Sequence, residues 1–442
     1  MAGQVYVGVD GANNSFYADG LNLIDSMGGS DTLTGGANGA LNVLYGDAGA
    51  SMSRSIGGND LLIGGATGSA NFLFGDTGNM QPGSVGGNDT MIGGSSAKEN
   101  NIYGDAGDMF SSRGGNDVLI GGGNGAVNAL YGDAGGLSDR SVGGNDTVTG
   151  GNGNARNFGY GDAGIMNTGT VGGNDVLIGG SVGSLNILYG DAAIMRSGVT
   201  GGNDTITGGA DAFNVLFGDA GEWQLGDRGG NDSIVGGANA RGNTLYGDAS
   251  TIPVGSTGGN DNLLGGKDSV NHLNGDASVI NGVGGDDTLV GAEGGTNYLI
   301  GDSDLLGPGA RGGNDRLVSA VGTPDYMRGD APDMQGAGGH DTFVSTPGGG
   351  NDFIMDFRRG EDHIELDDFI KSNPATSHIP PEVLHNLPPQ WPFWVQFRDL
   401  SIQTADTNND GVLDSVVRFD TNNSITVYGV AQLTSADFVF VH

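Results

Sequence analysis

The chain of 442 residues contains no cysteine, so no disulfide bond stabilises it. It is also poor in positive charge: 17 lysine and arginine residues stand against 52 aspartate and glutamate residues, a formal net charge of −35. This balance argues against nucleic acid or an anionic membrane as a partner and favours cations. Without disulfides, a protein outside the cell needs another stabilising element, and a bound metal is one.

Long apolar runs are also missing, so we expect no membrane-spanning helix. The first twenty residues lack the basic stretch and the apolar stretch of a Sec-type signal peptide. If the protein is exported, it therefore leaves the cell by another route.

Glycine, by contrast, is abundant at 91 residues, and two aspartate phrases repeat through the chain. The phrase GGND, with variants, recurs every 26–29 residues. Its aspartates, which we call the GGND column, are Asp31, Asp60, Asp89, Asp117, Asp146, Asp175, Asp204, Asp232, Asp261, Asp287, Asp315 and Asp341. The phrase YGDA or FGDA interleaves with it, and its aspartates, the GD column, are Asp19, Asp47, Asp76, Asp105, Asp133, Asp162, Asp191, Asp219, Asp248, Asp276, Asp302 and Asp330. A fixed phase of this length indicates a repeat architecture.

Short strands follow both phrases. After Asp60 come Leu61, Leu62 and Ile63, and the middle position is apolar in nearly every copy, so this column faces inward. One coil cannot bury its apolar face alone, but stacked coils build a continuous core. We therefore predict an all-β parallel β-solenoid of about 12 coils over residues 1–340 and a small β-rich module over residues 341–442.

Two details of the coil stay open or irregular. A third apolar column, including Met80 and Met109, follows each GD phrase, which leaves a three-sided coil and a two-sided coil with a packed loop as alternatives. Gly159 interrupts the inward column of the second strand, and we expect a local gap in the core there.

The two aspartate columns enclose the same long connection, so we expect them on one side of the solenoid. Carboxylates of adjacent coils would stand about 4.8 Å apart and repel each other unless a cation lies between them. Calcium suits oxygen ligands, and glycines would present backbone carbonyls because turns use backbone angles that glycine adopts easily. The predicted ligands are the whole GGND column, the GD column from Asp47 onward, and Asp352 of a further GGND copy. The alternative is that these aspartates only cap turns through their own backbone.

The opposite turn carries asparagine at the equivalent place. Stacked amides donate to one neighbour and accept from the other, which predicts a hydrogen-bonded ladder without metal. Its members are Asn14, Asn42, Asn71, Asn100, Asn128, Asn157, Asn186, Asn214, Asn243, Asn271 and Asn297, followed by Asp325.

The stretch GGNDLLIGG at residues 57–65 resembles the repeat of the RTX (hemolysin-type) calcium-binding family, which forms a parallel β-roll. The resemblance implies that the GGND column binds calcium. The sequence departs from the family in its period of about 29 residues and in the asparagines of alternate turns.

The C-terminal part is similar to the terminal module of proteins exported by type I secretion. The similar stretches are GGHDTFV (338–344), GGNDFIMDF (349–357), GEDHIELDDF (360–369) and LTSADFVFVH (433–442). The resemblance implies an uncleaved C-terminal export signal, passage through the type I secretion machinery, and folding outside the cell where calcium is plentiful.

Two C-terminal segments suggest further sites. Asp406, Asn408, Asp410 and Asp414 fit the start of an EF-hand-type calcium loop, although Val417 replaces the usual glutamate; the alternative is an Asx-rich turn. Residues 373–394 combine prolines with Trp391, Phe393 and Trp394, and they form either a recognition surface or a loop packed on its own domain.

Enzyme signatures are weak. HExxH is absent, and the GxSxG match at residues 179–183 lies between two coil strands of a glycine-rich chain, where such a match is expected by accident. We therefore expect no catalytic domain.

Outward positions suggest an assembly face. An aromatic column is formed by Tyr45, Phe74, Tyr103, Tyr131, Tyr160, Tyr189, Phe217 and Tyr246, and the strands after GGND present Thr, Val and Ile. This pattern fits either ordinary β-propensity with stacking between coils or a surface for lateral assembly. The first strand region, residues 4–9, has no charged residue to guard its edge.

The leading hypothesis is an extracellular structural protein, such as a filament, surface layer or matrix component, that binds calcium and self-associates. The alternatives are an adhesin or ligand-binding module for glycans or ice, and the non-catalytic partner of an exported enzyme.

Overall fold

The computed structural model describes residues 3–367, 395–419 and 423–441. It confirms the predicted all-β parallel solenoid of about 12 coils. Each coil contributes one strand to each of three parallel sheets, so the coil is three-sided and the third apolar column belongs to a real sheet. Among the described residues of the C-terminal part, two short 3₁₀ helices lie at Phe397–Asp399 and Ser435–Asp437.

Strands are numbered along the chain, and the sheets are named A, B and C in the order in which a coil visits them. Sheet A consists of β1 (Val5–Val7), β4 (Thr32–Thr34), β7 (Leu61–Ile63), β10 (Thr90–Ile92), β13 (Val118–Ile120), β16 (Thr147–Thr149), β19 (Val176–Ile178), β22 (Thr205–Thr207), β25 (Ser233–Val235), β28 (Asn262–Leu264), β31 (Thr288–Val290), β34 (Arg316–Val318), β37 (Thr342–Ser345), β39 (His363–Asp367) and β43 (Phe438–Val441).

Sheet B consists of β2 (Asn13–Tyr17), β5 (Leu41–Tyr45), β8 (Ala70–Phe74), β11 (Glu99–Tyr103), β14 (Val127–Tyr131), β17 (Arg156–Tyr160), β20 (Leu185–Tyr189), β23 (Phe213–Phe217), β26 (Gly242–Tyr246), β29 (Val270–Asn274), β32 (Thr296–Ile300), β35 (Asp325–Arg328), β38 (Asn351–Ile354), β42 (Ser424–Val427), β41 (Asp414–Arg418) and β40 (Ser401–Ala405).

Sheet C consists of β3 (Gly20–Ile24), β6 (Ala48–Ser53), β9 (Thr77–Met80), β12 (Ala106–Phe110), β15 (Ala134–Ser138), β18 (Ala163–Met166), β21 (Ala192–Met195), β24 (Ala220–Glu222), β27 (Ala249–Ile252), β30 (Ala277–Ile280), β33 (Leu305–Leu306) and β36 (Asp333–Met334).

The strands pair in register, so equivalent residues of successive coils stack. Met91 of sheet A, for example, pairs with Leu62 on one side and Leu119 on the other, and all three are fully buried. The inward column of sheet A faces that of sheet B, which includes Leu73 and Ile102, and together they form the main apolar core. Alternation along each short strand places the flanking residues outside.

A second apolar core lies under sheet C and is separate from the first. It contains the small and flexible side chains that follow the GD phrases, such as Ala106, Met109, Ala134 and Leu137. Each coil therefore has two apolar lobes, one between sheets A and B and one under sheet C. The chain passes between the lobes twice in each coil, once from sheet B to sheet C and once from sheet C to the next strand of sheet A.

Gly159 leaves no gap in the main core, contrary to the sequence-based expectation. A Cβ atom added at Gly159 would lie 2.9 Å from Leu188 Cδ2 and 3.4 Å from Val148 Cγ1. The neighbouring side chains thus fill the space that a larger residue would take.

Sheets A and B continue beyond residue 340, whereas the last strand of sheet C among the described residues is β36. β37, β39 and β43 extend sheet A, and β38 and β42 extend sheet B in parallel. β41 and β40 then close sheet B with antiparallel pairs. The proline- and aromatic-rich stretch at residues 373–394 lies outside the described residues. Within the described ranges, no helix has the length and apolar character needed to cross a membrane.

Candidate metal centre

The two aspartate columns lie at the two segments of each coil, here called crossings, in which the chain passes from one apolar lobe to the other. The GD phrase forms the corner from sheet B to sheet C, and the GGND phrase precedes sheet A. Carboxylate oxygens of Asp47, Asp60 and Asp76 all lie within 4.8 Å of one another. Equivalent groups are Asp19 with Asp31 and Asp47, and Asp76 with Asp89 and Asp105. The columns thus meet, as predicted, but inside the solenoid: Asp47 is 0% exposed and Asp60 is 3% exposed.

Backbone N–H groups position these carboxylates. In most coils, one oxygen of each carboxylate accepts a hydrogen bond from a backbone N–H group. The backbone N–H of Asp60 donates to Asp89 Oδ1 in the next coil at 2.7 Å, and the N–H of Gly87 donates to Asp76 Oδ2 at 3.0 Å. The other oxygen of each, Asp89 Oδ2 and Asp76 Oδ1, is buried without a hydrogen-bond partner. Burying a charged oxygen without a partner is unfavourable in free energy, and a bound cation would compensate for it.

The same unpartnered oxygen recurs along both columns. It is found on Asp19, Asp31, Asp47, Asp60, Asp105, Asp117, Asp146, Asp175, Asp191, Asp204, Asp219, Asp232, Asp248, Asp261, Asp276, Asp287, Asp302, Asp315 and Asp341. Asp330 Oδ2 also accepts no hydrogen bond, but it lies in an ion pair with Arg358. In Asp133 and Asp162, both oxygens accept from the backbone N–H of one glycine. Unpartnered oxygens therefore continue along both columns, while the groups of three carboxylates that close within 4.8 Å lie in the first coils, from Asp19 to Asp105.

Glycine is needed at these crossings for space. A Cβ atom at Gly46 would overlap with both the carbonyl oxygen of Gly75 and Asp60 Oδ2, and one at Gly57 would overlap with the Asp76 carboxylate. The expectation that these glycines adopt backbone angles reserved for glycine was wrong for Gly46, Gly57 and Gly58, none of which has a positive φ. Their missing side chains make room for carbonyl and carboxylate oxygens to lie side by side.

Burial and mutual repulsion make the charged form of these groups unfavourable. Burial raises the pKa of Asp47 to about 7, and burial together with the Asp47 charge raises the pKa of Asp60 to about 8. Burial also raises the pKa of Asp76 and of Asp89 well above the ordinary value, with neighbouring aspartates as the next cause. A divalent cation among them would stabilise the charged form instead. The donors are all oxygens, so these clusters can hold a hard metal ion.

The asparagine column forms the predicted ladder. Asn100 Nδ2 donates to Asn128 Oδ1 at 2.8 Å, and Asn128 Nδ2 donates to Asn157 Oδ1 at 2.7 Å. Each amide also exchanges two hydrogen bonds with the backbone of one turn residue, which is a glycine in most coils, as Asn128 does with Gly122 at 2.9 and 2.8 Å. The ladder ends where Asn297 donates to Asp325 Oδ1 at 2.6 Å.

Asp352 lies beside Asp325, one coil beyond the ladder, rather than in the GGND column. Its Oδ1 accepts from the backbone N–H of Asp325 at 3.2 Å, and β38 places it in sheet B. The short sequence GGND therefore marks a different place in the coil here, because the chain has entered the C-terminal part of the fold.

The loop between β40 and β41 carries the EF-hand-like residues. Asp414 is buried at the start of β41, and its oxygens accept from Thr407 and from the backbone N–H of Gly429. Asp406, Asn408 and Asp410 are exposed. Within residues 395–419, no acidic side chain belongs to a set of three or more whose carboxylate oxygens lie within 4.8 Å of one another. Hydrogen bonds between Asn408 and Asp410 give the loop the character of an Asx turn.

The aromatic column is a continuous stack along the corner of sheets B and C. Ring centroids from Tyr45 to Tyr246 are 4.7–5.3 Å apart with interplanar angles of 3–11°. The stack stops at Asn274, which pairs with Tyr246. The rings pack on one another and are largely half-buried, so part of their apolar surface is already used within the solenoid.

Three features were not predicted from the sequence. The asparagine that precedes most GGND-column aspartates forms a second, exposed ladder in which, for example, Asn88 Oδ1 accepts from the Asn116 backbone N–H at 2.7 Å. Asp19 joins the first oxygen cluster. Asp356 and Asp362 supply the next backbone-bound carboxylates beyond the repeats. The GGND repetition itself was the available signal for the ladder.

The fold and the site together define an all-β parallel β-solenoid whose buried aspartate clusters can hold metal ions. Comparisons with protein-family models, with curated proteins and with solved structures found no match.

Proposed function

We propose that this protein is a secreted, calcium-binding structural repeat protein that folds on extracellular calcium. The observation that carries the proposal is the double column of buried aspartates, most with one oxygen that no protein group satisfies. Removing so many charges from water costs far more than a fold of this size can offset, unless cations compensate. The resemblance to RTX repeats and to type I secretion modules supports calcium and export.

Calcium suits the site better than magnesium. It accepts six to eight oxygen ligands in flexible geometry, whereas magnesium requires a strict octahedron and keeps its water. The crossings offer carboxylate and carbonyl oxygens in a site closed to solvent, with glycines that let them approach. Since metal bound only by the fold stabilises only the fold, folding would follow calcium concentration.

A calcium titration of the full chain tests this proposal. Circular dichroism should show little β-structure in chelator and complete β-structure after calcium is added, with magnesium at equal concentration as the control. A spectrum already complete in chelator, with no bound metal by mass spectrometry, contradicts the proposal.

The structural role is proposed from the outer face of sheet A. It presents β-branched side chains to solvent: Val118, Ile120, Val176 and Ile178 are 37–40% exposed. Val5 and Val7 of β1, which is an edge strand of sheet A within the described residues, are more than 70% exposed. Exposed apolar faces and open strand edges favour association.

Self-assembly is favoured over ice binding by the composition of that face. Asn262 and Arg316 interrupt it, and threonine pairs such as Thr147 and Thr149 alternate with apolar pairs. Electron microscopy and sedimentation in calcium test assembly. A strict monomer at high concentration, together with ice-recrystallisation inhibition or glycan binding, would favour the binding-module alternative.

A further inference from the structure

We infer that the metal ions form one unbroken file along the solenoid, one ion per coil with shared carboxylates, and that the Arg358 guanidinium replaces the ion at the C-terminal end. This inference rests on the proposed metal binding and specifies its arrangement.

Sharing follows from the composition of the three oxygen clusters. Asp47 belongs to the first and second clusters, and Asp76 belongs to the second and third. Asp60 and Asp89, from the GGND column, belong to one cluster each. A GD-column aspartate therefore faces two successive sites, whereas a GGND-column aspartate faces one.

Unpartnered oxygens show that the clusters are built for a ligand. Asp47 Oδ1, Asp60 Oδ2 and Asp76 Oδ1 are buried without a hydrogen-bond partner, although each residue is at most 3% exposed. The other oxygen of each carboxylate is held by a backbone N–H group. The free oxygens are thus fixed in place rather than disordered.

Charge neutrality sets the number of ions. Each coil adds one GD and one GGND aspartate, which is two negative charges, and one divalent cation neutralises them. Neighbouring ions would lie about one coil spacing apart, ~4.8 Å, with a shared carboxylate between them to offset their repulsion. The twelve GD-column aspartates have eleven intervals, so eleven ions are expected.

The file ends where Arg358 enters. Its Nη1 lies 3.0 Å from Asp330 Oδ2, and Asp330 is the last member of the GD column. Among the ion pairs of the described residues, this is the one that reaches either column. Asp362 Oδ1 accepts the backbone N–H of Asp341, as the next GGND-column aspartate would. Asp356 Oδ2 accepts the backbone N–H of Asp330, whereas the equivalent N–H of Asp47 donates to the backbone carbonyl of Asp76.

The position of Arg358 explains how the repeat can stop. A further site between Asp330, Asp341 and Asp356 would need a cation, and the guanidinium supplies one that is covalently attached. The Arg358 backbone N–H also donates to Asp362 Oδ2 at 2.7 Å, which fixes the turn that carries the side chain. Arg358 is therefore the protein's own counter-ion at this end.

Bound calcium measured by mass spectrometry in the full chain tests the sharing. Asp76→Asn should lose about two ions and Asp89→Asn about one, relative to the unaltered chain. Asp108→Asn, at an exposed position of β12, is the matched control and should lose none. Equal losses for Asp76→Asn and Asp89→Asn overturn the shared file, whereas an unaltered chain without any metal overturns the proposed function itself.

Substitution of Arg358 tests the end of the file. Arg358→Met should bind one more ion than the unaltered chain, and Arg358→Lys should bind the same number. Arg359→Met removes a neighbouring cation that pairs with Asp437 outside the columns, and its ion count should not change. If Arg358→Met instead destabilises the fold, the double variant with Asp330→Asn should restore the melting temperature. An unchanged ion count with an unchanged melting temperature for Arg358→Met overturns the inference.

Discussion

Removal of calcium at neutral pH should unfold the solenoid, and acidification in the same chelator should refold it. The perturbation acts on the buried aspartate columns, which form no ion pair with a cationic side chain of the described residues except at Asp330. Protons and calcium ions are the two means of neutralising these groups. The fold should therefore tolerate chelator at low pH and require calcium at neutral pH.

Three aspartates with moderate pKa shifts give the expected size of this effect on the free energy of unfolding. Burial raises the pKa of Asp133, Asp191 and Asp248 to about 6, against an ordinary value of 3.8. At about 1.4 kcal/mol per pH unit, each destabilises the metal-free fold by roughly 3 kcal/mol when it is ionised. Together they cost about 9 kcal/mol, comparable to the whole free energy of unfolding of a typical domain, about 5–15 kcal/mol.

The sign follows from proton binding. Because these folded-state pKa values exceed the unfolded value, the folded chain binds more protons in between, and the free energy of unfolding falls as pH rises. The stabilisation by protons is complete below 3.8 and is lost through about 6 for those three residues, about 8 for Asp60 and about 9 for Asp341. In calcium the slope should be reduced or reversed, since protons then compete with the ion.

Melting temperatures by circular dichroism, with chelator and with calcium, at about pH 4, 6 and 8, measure the effect. We expect the chelated protein to melt at progressively lower temperature as pH rises and to be unfolded near pH 8, while the calcium-bound protein stays folded there. A chelated protein whose melting temperature is the same at about pH 4 and 8 would refute the reasoning, because the buried carboxylates would then be compensated without metal.

Further predictions concern the ladders and the outer face. Asn128→Ala should destabilise the fold by about 3–5 kcal/mol in urea unfolding, because four hydrogen bonds of 2.7–2.9 Å are lost within a buried column; Asn116→Ala in the exposed ladder should cost less than about 1.5 kcal/mol. Tyr131→Ala should cost about 2–4 kcal/mol by removing one ring of the stack, whereas Tyr131→Phe should stay within about 1 kcal/mol. The double substitution Val118→Lys and Ile120→Lys should abolish assembly in sedimentation and electron microscopy but leave the calcium-bound melting temperature nearly unchanged, since both side chains are more than a third exposed; assembly that persists would place the contact on another face.

Much of the coil could be predicted because it depends on short-range periodicity. The alternation around Leu62 and its equivalents determines which side chains face inward, and the constant period brings the same residues into register. The asparagine ladder followed for the same reason, since identical amides at one coil position must stack. The meeting of the two aspartate columns followed from their spacing around one connection.

Other features depended on how the chain closes in three dimensions. Residues after Asp76 form a strand of sheet C only because successive coils pair there, so no short window could separate a third sheet from a packed loop. The alternation of strand side chains does not apply at a corner, so it could not predict which way Asp47 and Asp60 point. In the structure both are buried between the two apolar lobes.

The place where the repeat ends likewise depends on the tertiary structure. Asp352 lies in a GGND phrase yet stands beside Asp325, and Arg358 reaches Asp330 although nothing in its local sequence distinguishes it from Arg359. The sequence by itself determined the repeating coil, because stacking repeats a local pattern. The tertiary structure alone decided where charge is buried and what balances it, because those depend on which side chains from distant coils share one enclosed space.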